Sequence, residues 1–297
     1  MKALVTGSSG LVGKAFIESC SEKNTDPIKM VRSEPKLSGD SSTHLWKPLE
    51  VVKDLPKADA VVHLAGEGIL GLWSQAKKER MTKSRVESTK NLCRSLIESG
   101  SIPKVFVCAS GIGIYGSRGD EILTEQSRLE DDLYLSKLAQ DWEDACSEIK
   151  DVGTRVVNLR ISVVLSPKGG ALQKMLPAFR LGLGGPLGSG NQWMSWISLE
   201  DLVKVIHFSI ENESLEGPIN VCSPGTVDNN TFAKALGSKL GRPTFFRVPE
   251  FVLKTVAGEM AQNTFLISNR AEPRLLTESG FKFSHPTLED YFNTASL

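Results

Sequence analysis

Three glycines near the start of the chain have the spacing of a phosphate-binding turn. Gly7, Gly10 and Gly13 follow an apolar run and precede a helical pattern, which gives the order strand, turn, helix. The first glycine permits a sharp turn, the second lets backbone N–H groups approach a pyrophosphate, and the third lets helix and strand pack closely. Leu11 and Val12 then begin the helix, where unpaired N–H groups and the helix dipole favour an anion. An ordinary tight turn is the alternative, but the context favours a dinucleotide site.

The end of the second predicted strand indicates which dinucleotide binds. Helical spacing after Gly13 and a turn lead to a strand over 28–31, so the segment forms a strand-helix-strand unit. A chain that binds NAD(H) usually has Asp or Glu about twenty residues past the glycines, which accepts from the ribose 2′-hydroxyl. Here Val31 is followed by Arg32, whose guanidinium would pair with a 2′-phosphate. We therefore expect NADP(H), with Val31 and Arg32 among its contacts; the alternative is that Arg32 is a solvated loop charge.

Composition argues against several classes of partner. The chain has 297 residues, and its 35 basic and 35 acidic side chains give a formal net charge of zero, so no overall field attracts nucleic acid or an anionic membrane. No apolar stretch reaches the roughly 18 residues of a membrane-spanning helix. The five cysteines are scattered in apolar segments, and the histidines show no metal-ligand spacing. We expect a cytoplasmic protein without a metal, nucleic-acid or membrane partner.

The order of predicted elements indicates the fold. Near-continuous apolar strands at 60–66, 104–110 and 155–160 alternate with helical patterns. This alternation predicts a parallel sheet covered on both faces, which binds ligands at the carboxyl ends of its strands. We expect an α/β fold, namely a Rossmann-type doubly wound parallel sheet with a smaller C-terminal α/β lobe.

The change of composition after residue 165 suggests how the chain divides. We expect residues 1–165 to form the NAD(P)-binding domain, with 197–222 returning to it. Residues 166–196 and 223–297 would form the substrate-binding C-terminal lobe. The glycine-rich stretch near 182–190 is typical of either a mobile connector or a closely packed ligand loop.

Several motifs together resemble the extended short-chain dehydrogenase/reductase superfamily over nearly the whole chain. The resemblance is closest to its uncharacterised "epimerase family" subgroup, whose members have been called sugar-nucleotide epimerases or cell-division inhibitors and end in a small C-terminal domain. The motifs that carry this resemblance are Leu64-Ala65-Gly66-Glu67, Ser84-Arg85, Ile114-Tyr115-Gly116, Asp141-Trp142-Glu143, the block from Phe179 to Gly190, Trp196-Ile197 and Asp201-Leu202.

The resemblance implies further contacts with the cofactor along the predicted crevice. These are Leu64, Ala65, Gly66, Arg80, Arg85 and Val164. For Arg80 and Arg85 the alternative is a solvated or ion-paired helix surface, and for Val164 it is plain core packing.

The resemblance also implies a catalytic set, from which this chain departs. Superfamily members use a Tyr with a Lys four residues on, supported by a Ser or Thr, to move a proton. Here Lys137 follows Tyr134 by three residues, which places the two about 60° apart around a helix, and Ser110 comes one residue before the usual position at Gly111. We take Tyr134, Lys137 and Ser110 as the catalytic candidates. Glu67 is an alternative base.

Together these features predict an NADP-dependent oxidoreductase or an enzyme similar to nucleotide-sugar epimerases, acting on an unidentified small polar substrate. The alternative is a catalytically silent protein that senses NADP(H) and acts on a protein partner such as the division machinery. The resemblance also implies a homodimer, since superfamily members commonly pair through two helices of the sheet domain.

Overall fold

The structure, a computed structural model, describes residues 1–32, 42–130 and 132–297. Its strands are β1 Lys2–Thr6, β2 Asp26–Val31, β3 Thr43–Leu45, β4 Ala60–His63, β5 Val105–Gly111, β6 Ile122–Leu123, β7 Arg155–Ile161, β8 Val163–Leu165, β9 Trp193–Met194, β10 Trp196–Ser198, β11 Gly217–Val221, β12 Val227–Asp228 and β13 Arg270–Ala271. Its helices are α1 Leu11–Ser19, α2 Gln75–Thr82, α3 Ser88–Glu98, α4 Tyr134–Asp144, α5 Ser147–Asp151, α6 Gly170–Arg180, α7 Leu199–Glu211, α8 Asn229–Leu240, α9 Glu250–Ala257, α10 Glu259–Asn263, α11 Arg274–Glu278 and α12 Leu288–Thr294. A π-helical turn, Lys83–Glu87, joins α2 to α3, and 3-10 turns occupy Cys20–Lys23 and Ile112–Tyr115.

Seven parallel strands of the described chain form the central sheet, in the order β3-β2-β1-β4-β5-β7-β11. From the central β1–β4 pair, strands β2 and β3 follow on one side, and strands β5, β7 and β11 follow on the other. In open sheets of this kind, ligands bind in the crevice at that reversal, outside the carboxyl ends of the strands. β1 and β4 end there at Thr6 and His63. The expected Rossmann-type sheet is therefore confirmed, and its topology brings the glycine turn next to the segment after β4.

The core lies on both faces of this sheet because side chains alternate along each strand. In β1, Ala3 and Val5 pack with α1 and α7, whereas Leu4 packs on the other face with α3 and α4. β4 and β5 divide their side chains in the same way. Helices covering both faces make the sheet doubly wound.

The rest of the chain returns to the sheet in part and forms a smaller assembly in part. α7 packs on α1, and β11 forms an edge of the sheet. α6, α8 and α12 share a separate apolar core around Trp196. Leu276 and Phe281, near the C-terminus, pack with the sheet residues. The division of the chain at residue 165 stays a prediction.

The glycine-rich stretch is tightly packed, which agrees with the second of its two expected forms. A Cβ on Gly184 would lie 2.3 Å from the Phe179 ring, and a Cβ on Gly190 would lie 2.2 Å from the side-chain oxygen of Asn230. The guanidinium of Arg247 donates to two main-chain carbonyls of the same stretch. These glycines are therefore needed because neighbouring groups occupy the space of a side chain.

None of the helices in the described ranges is long and apolar enough to cross a bilayer.

Candidate functional site

The glycine turn packs directly on the segment that follows β4. Gly7 has a φ of +69°, and a Cβ there would lie 2.7 Å from both the carbonyl carbon and oxygen of Leu64. A Cβ on Gly13 would lie 2.3 Å from the Gly7 carbonyl oxygen. Both positions meet main-chain atoms, which cannot move aside like the end of a side chain. The turn therefore requires glycine at both positions, as the sequence pattern predicts.

The start of α1 leaves donors available at this turn. Gly10 is the N-cap residue and supplies no side-chain hydrogen bond. Its own N–H donates to the Gly7 carbonyl at 2.9 Å, which closes the turn. The first N–H groups of the helix, at Leu11, Val12 and Gly13, have no partner within the helix. The arrangement can therefore hold a pyrophosphate against the positive end of the helix dipole.

Leu11 and Val164 meet at one side of the turn. A Cβ on Gly169 would lie 3.1 Å from the Leu11 side chain, and one on Gly170 would lie 3.7 Å from the Val164 carbonyl. Val164 is half-buried in β8 and, like Val12 and Leu64, packs against the core of the sheet. The structure thus places the predicted apolar contacts around a common crevice.

The predicted selector of the phosphorylated cofactor lies on the strand beside β1. Val31 ends β2, and Arg32 follows it with an exposed side chain. The described part of the chain offers Arg32 no carboxylate within ion-pair distance. A free guanidinium at this strand end fits a 2′-phosphate.

A buried row of hydrogen bonds fixes the ends of β1 and β4 to each other. The Thr6 hydroxyl accepts from the main-chain N–H of Leu64 and of Ala65, both at 3.2 Å, so its own proton goes to His63 Nδ1 at 2.7 Å. The imidazole proton is then on Nε2, which donates to Thr89 Oγ1 at 2.9 Å. Every polar group in the row has a partner.

The same row extends from His63 into the helices that cover this face. Thr89 Oγ1 also accepts from Trp142 Nε1 at 3.0 Å and donates to the Arg85 carbonyl. Burial lowers the pKa of His63 to about 3, so the ring is neutral at physiological pH. His63 is thus a satisfied core histidine, as its alternation along the strand predicts. Its two hydrogen-bond partners, Thr6 on β1 and Thr89 on α3, are far from it in sequence and could not be predicted from local sequence.

Arg85 lies under the segment that follows β4. The π-helical turn carries it, and its guanidinium stacks 5.0 Å from the Trp142 ring and donates to the Glu67 carbonyl at 2.9 Å. A Cβ on Gly66 would lie 3.1 Å from the guanidinium carbon. Burial lowers the pKa of Arg85 to about 10, which leaves it charged, and no described carboxylate pairs with it. The alternative of an ion-paired arginine on the helix surface, with Glu79 or Glu87 as its partner, is not observed among the described residues.

Glu67 is held by two cations, which bears on its suggested role as a base. Lys77 Nζ lies 3.0 Å and Arg80 Nε 3.6 Å from the same carboxylate oxygen. The hydrogen bond from Lys77 keeps the pKa of Glu67 below its ordinary value. A carboxylate stabilised in this way is a weak proton acceptor. Arg80 is thus linked to the segment after β4 by its ion pair with Glu67.

Tyr134 points away from the other two catalytic candidates. It begins α4, its hydroxyl donates to the Lys78 carbonyl at 2.8 Å, and it lies 3.1 Å from Thr82 Oγ1. Its ring packs edge-on against Trp73. These contacts direct the phenol towards α2.

Lys137 and Ser110 have separate partners as well. The Lys137 side chain is 67% exposed, and its Nζ lies 3.9 Å from Asp141. Ser110 is buried, and its hydroxyl donates to Glu143 at 2.9 Å. No hydrogen bond or ion pair in the described ranges links Tyr134, Lys137 and Ser110. The structure therefore does not assemble them into the relay that the resemblance implies.

A buried charged cluster lies at the end of the crevice near β5 and β7. Arg160 donates to both carboxylate oxygens of Glu143, at 2.9 and 2.8 Å, and the two side chains are only 4% and 11% exposed. Arg160 also donates to the Tyr115 hydroxyl, which donates to Asn220 at 2.7 Å. Burial raises the pKa of Tyr115 to about 12. The bidentate hydrogen bonds satisfy both buried charges, so the loss of either partner would leave the other uncompensated.

No group of three or more metal-ligating side chains is found in the residues that the structure describes.

The parallel sheet, the glycine turn and the open helix N-terminus together define a dinucleotide-binding protein of the Rossmann class. More particularly, the chain belongs to the NAD dependent epimerase/dehydratase family, whose model matches residues 3–222. A second model, a domain of unknown function, matches residues 248–295. This confirms the family predicted from the motifs.

Relatives in bacteria and mammals match almost the whole chain. Epimerase family protein Mb2239 of Mycobacterium bovis is 36% identical over 98% of this chain and 96% of its own length. Epimerase family protein YfhF of Bacillus subtilis is 32% identical over 97% of this chain and 96% of its own length. The crystal structure of human epimerase family protein SDR39U1 with NADPH has a TM-score of 0.90 at 30% identity, over 98% of each chain.

Proposed function

We propose that this chain binds NADP(H) in the crevice between β1 and β4 and works as an NADP-dependent oxidoreductase or epimerase-like enzyme on a small polar substrate. The observation that carries the proposal is the close packing of Gly7 and Gly13, which leaves the uncapped start of α1 open to a pyrophosphate. The NADPH named with the human relative supports the phosphorylated cofactor.

Each side of the crevice would hold one part of the cofactor. Leu11 and Val12 would donate main-chain N–H groups to the pyrophosphate, and Arg32 would pair with the 2′-phosphate. The segment 64–66 would line the adenosine side, and Val164 would pack on the nicotinamide. When bound, the nicotinamide supplies a hydride donor or acceptor. Arg85 would hold the Glu67 carbonyl and so keep the lining segment in place.

Direct binding measurements test the choice of cofactor. We expect NADPH to bind the wild-type chain at least about tenfold more tightly than NADH, because a charge-assisted pair to a phosphate contributes roughly 1.5–3 kcal/mol. Arg32→Ala should remove that preference by weakening NADPH alone. Arg128→Ala, which removes a similarly exposed arginine, is the control. Equal affinities in the wild type, or an equal loss for both cofactors in Arg32→Ala, would overturn the assignment.

The C-terminal lobe closes the far side of the crevice, where a substrate would bind. Glu259 of α10 pairs with Lys78 of α2, and Asn263 accepts from the main-chain N–H of Leu135 in α4. A panel of carbonyl compounds and sugar nucleotides, assayed by NADPH absorbance and by product analysis, tests the enzymatic activity. Turnover with any member supports it, and a complete absence of turnover by NADPH-loaded protein counts against it.

A second function is favoured by the separation of Tyr134, Lys137 and Ser110. A protein that keeps the cofactor crevice without this relay could report the NADPH/NADP ratio to a protein partner. If partner capture follows that ratio and survives Tyr134→Phe, sensing is supported. If Tyr134→Phe abolishes turnover while NADPH affinity is unchanged, the enzyme is supported and the sensor fails.

A further inference from the structure

One face of the C-terminal lobe carries an unusual density of exposed apolar side chains. We call it the lobe face, and it consists of Leu181, Leu183, Phe245, Phe246 and Phe251. Phe245 is 88% exposed, Leu181 74% and Phe251 71%. No side chain of α9, the helix that carries Phe251, is buried. Three exposed phenylalanines so close together in sequence point to a surface that something covers.

The two segments of the lobe face lie against each other. A Cβ on Gly185 would lie 2.1 Å from the Phe246 carbonyl oxygen, and one on Gly182 would lie 3.8 Å from the Pro243 ring. The main-chain N–H of Val248 donates to the Pro186 carbonyl at 2.9 Å, which ties the segments together just before α9. The two segments that carry these exposed side chains are therefore neighbours on the surface of the lobe.

Positive charge surrounds this surface although the chain as a whole is neutral. The exposed cations in and beside the two segments are Arg180, Lys234, Arg242, Arg247 and Lys254. Of these, only Lys254 forms an ion pair in the described chain, with Glu250. The zero net charge predicts no attraction of the molecule to anionic partners, but the fold gathers an excess of cations at the lobe face.

A polar cavity opens beside Phe245. It has a volume of about 520 Å³, and its lining includes Lys234, Arg247, Asn230 and Thr231. Asp228 also lines it, but its carboxylate caps α8 by accepting from the N–H and hydroxyl of Thr231. The Arg247 guanidinium donates to the Gly188 and Ser189 carbonyls and to Asn230 Oδ1, whereas the Lys234 ammonium has no partner among the described residues. The cavity therefore holds two cations against one capped carboxylate, which suits a phosphate-bearing headgroup.

We propose that the lobe face docks on an anionic phospholipid bilayer, with its phenylalanines and leucines at the acyl boundary and a lipid phosphate near Lys234 and Arg247. Projecting aromatic and aliphatic side chains ringed by Lys and Arg are what an interfacial surface requires. A twofold dimer through this face would bring its cations against their own copies, which charge repulsion opposes. The expected homodimer through sheet-domain helices leaves the face free.

Vesicle flotation tests the proposal with the intact chain, whether or not it binds NADP(H). We expect binding to vesicles of equal parts phosphatidylserine and phosphatidylcholine, weak binding to pure phosphatidylcholine, and release by added salt. The double variant Phe245→Ser/Phe251→Ser should lower the partition coefficient at least about tenfold. Lys234→Glu/Arg242→Glu should lower it more, since each cation near an anionic surface contributes roughly a fivefold gain.

Matched variants elsewhere on the surface provide the controls. Leu72→Ser removes an apolar side chain exposed to 72%, and Lys53→Glu reverses a cation exposed to 83%. Both should bind vesicles like the wild type. Circular dichroism and unfolding temperature show whether each variant is folded.

Three results would overturn the proposal. The first is the absence of any preference for phosphatidylserine vesicles. The second is equal binding by the lobe-face variants and the controls. The third is that the protein binds soluble glycerophosphoserine but not vesicles, and that the phenylalanine variant keeps this binding. Such a result would mark a site for a free anion. A partner protein that covers the face would show itself by the first result together with capture that the same variants abolish.

Discussion

The two ends of the sheet crevice are built from different kinds of contact. At the end near β1 and β4, main-chain atoms meet glycines, and a neutral row of hydrogen bonds from Thr6 to Trp142 fixes the strand ends. At the end near β5 and β7, the buried pair Arg160–Glu143 takes the Ser110 hydroxyl as a further partner. The first end is arranged to receive a ligand, whereas polar groups at the second satisfy one another. The residues proposed to hold the cofactor and the residues of the predicted catalytic set thus belong to different networks of contacts.

The largest effect should come from breaking the charged pair at the second end. Glu143→Ala leaves Arg160 buried without its partner, so we expect the free energy of unfolding to fall by roughly 3–5 kcal/mol in urea denaturation. Glu148→Ala, which breaks the exposed pair with Arg94, should have little effect on it. If Glu143→Ala keeps full stability but loses NADPH-dependent turnover, the pair serves chemistry and the comparison fails.

A methyl group added at the glycine turn should be damaging, whereas one added at the end of β5 should be tolerated. Gly13→Ala places a Cβ against the Gly7 carbonyl, so we expect a loss of roughly 3 kcal/mol in stability and a large loss of NADPH affinity. Gly111→Ala is the matched control, since a Cβ there has no neighbour within 4 Å. Thermal unfolding with and without NADPH measures both. Normal NADPH affinity in Gly13→Ala would show that the turn does not hold the pyrophosphate.

The hydrogen-bonded row predicts a dependence of stability on pH. Burial lowers the pKa of His63 from 6.5 to about 3, so between these values the unfolded chain binds a proton that the folded chain excludes. Its stabilising contribution is complete above pH 6.5 and is lost as the pH falls, by at most about 1.4 kcal/mol per pH unit. Burial also lowers the pKa of His207. The free energy of unfolding is measured against pH for the wild type and for His63→Gln. The difference between the two slopes isolates His63, and identical slopes would refute the neutral buried ring.

The smallest effects are expected at Lys137 and Tyr134, the two catalytic candidates that do not contact the Arg160–Glu143 pair. Lys137→Ala removes a mostly exposed amine and should leave both stability and NADPH affinity unchanged. Tyr134→Phe removes the hydrogen bond to Lys78 and should cost about 1 kcal/mol or less. Calorimetric titration with NADPH checks both variants. A turnover assay in which Lys137→Ala alone is inactive would mean that the lysine reaches the crevice during the reaction.

Much of the sheet domain could be predicted because its signals are local. The strand at Arg155 and the glycine turn both follow from hydrophobic spacing and glycine position. Helix α2 could not be predicted in this way, because it has almost no apolar face to mark it. Its π-helical turn has no pattern in the sequence that we could identify.

The site could be predicted only where backbone geometry decides it. Gly7 and Gly13 are needed for contacts with nearby main chain, which a short motif encodes. By contrast, Ser110 binds Glu143 and Tyr134 binds Lys78, so their roles depend on side chains far away in sequence. The spacing of residues along the chain cannot reveal such partners. The role of Arg85 as a cofactor contact stays a prediction, and its stacking on Trp142 depends on helix packing that the sequence does not show.

The π-helical turn at Lys83–Glu87 also changes the phase of the helix that runs from α2 into α3. One extra residue in a regular helix would rotate every later side chain by about 100°, whereas a π turn takes up the extra residue within a single loop of the helix. Residues on its two sides are therefore one position out of phase with an uninterrupted helix.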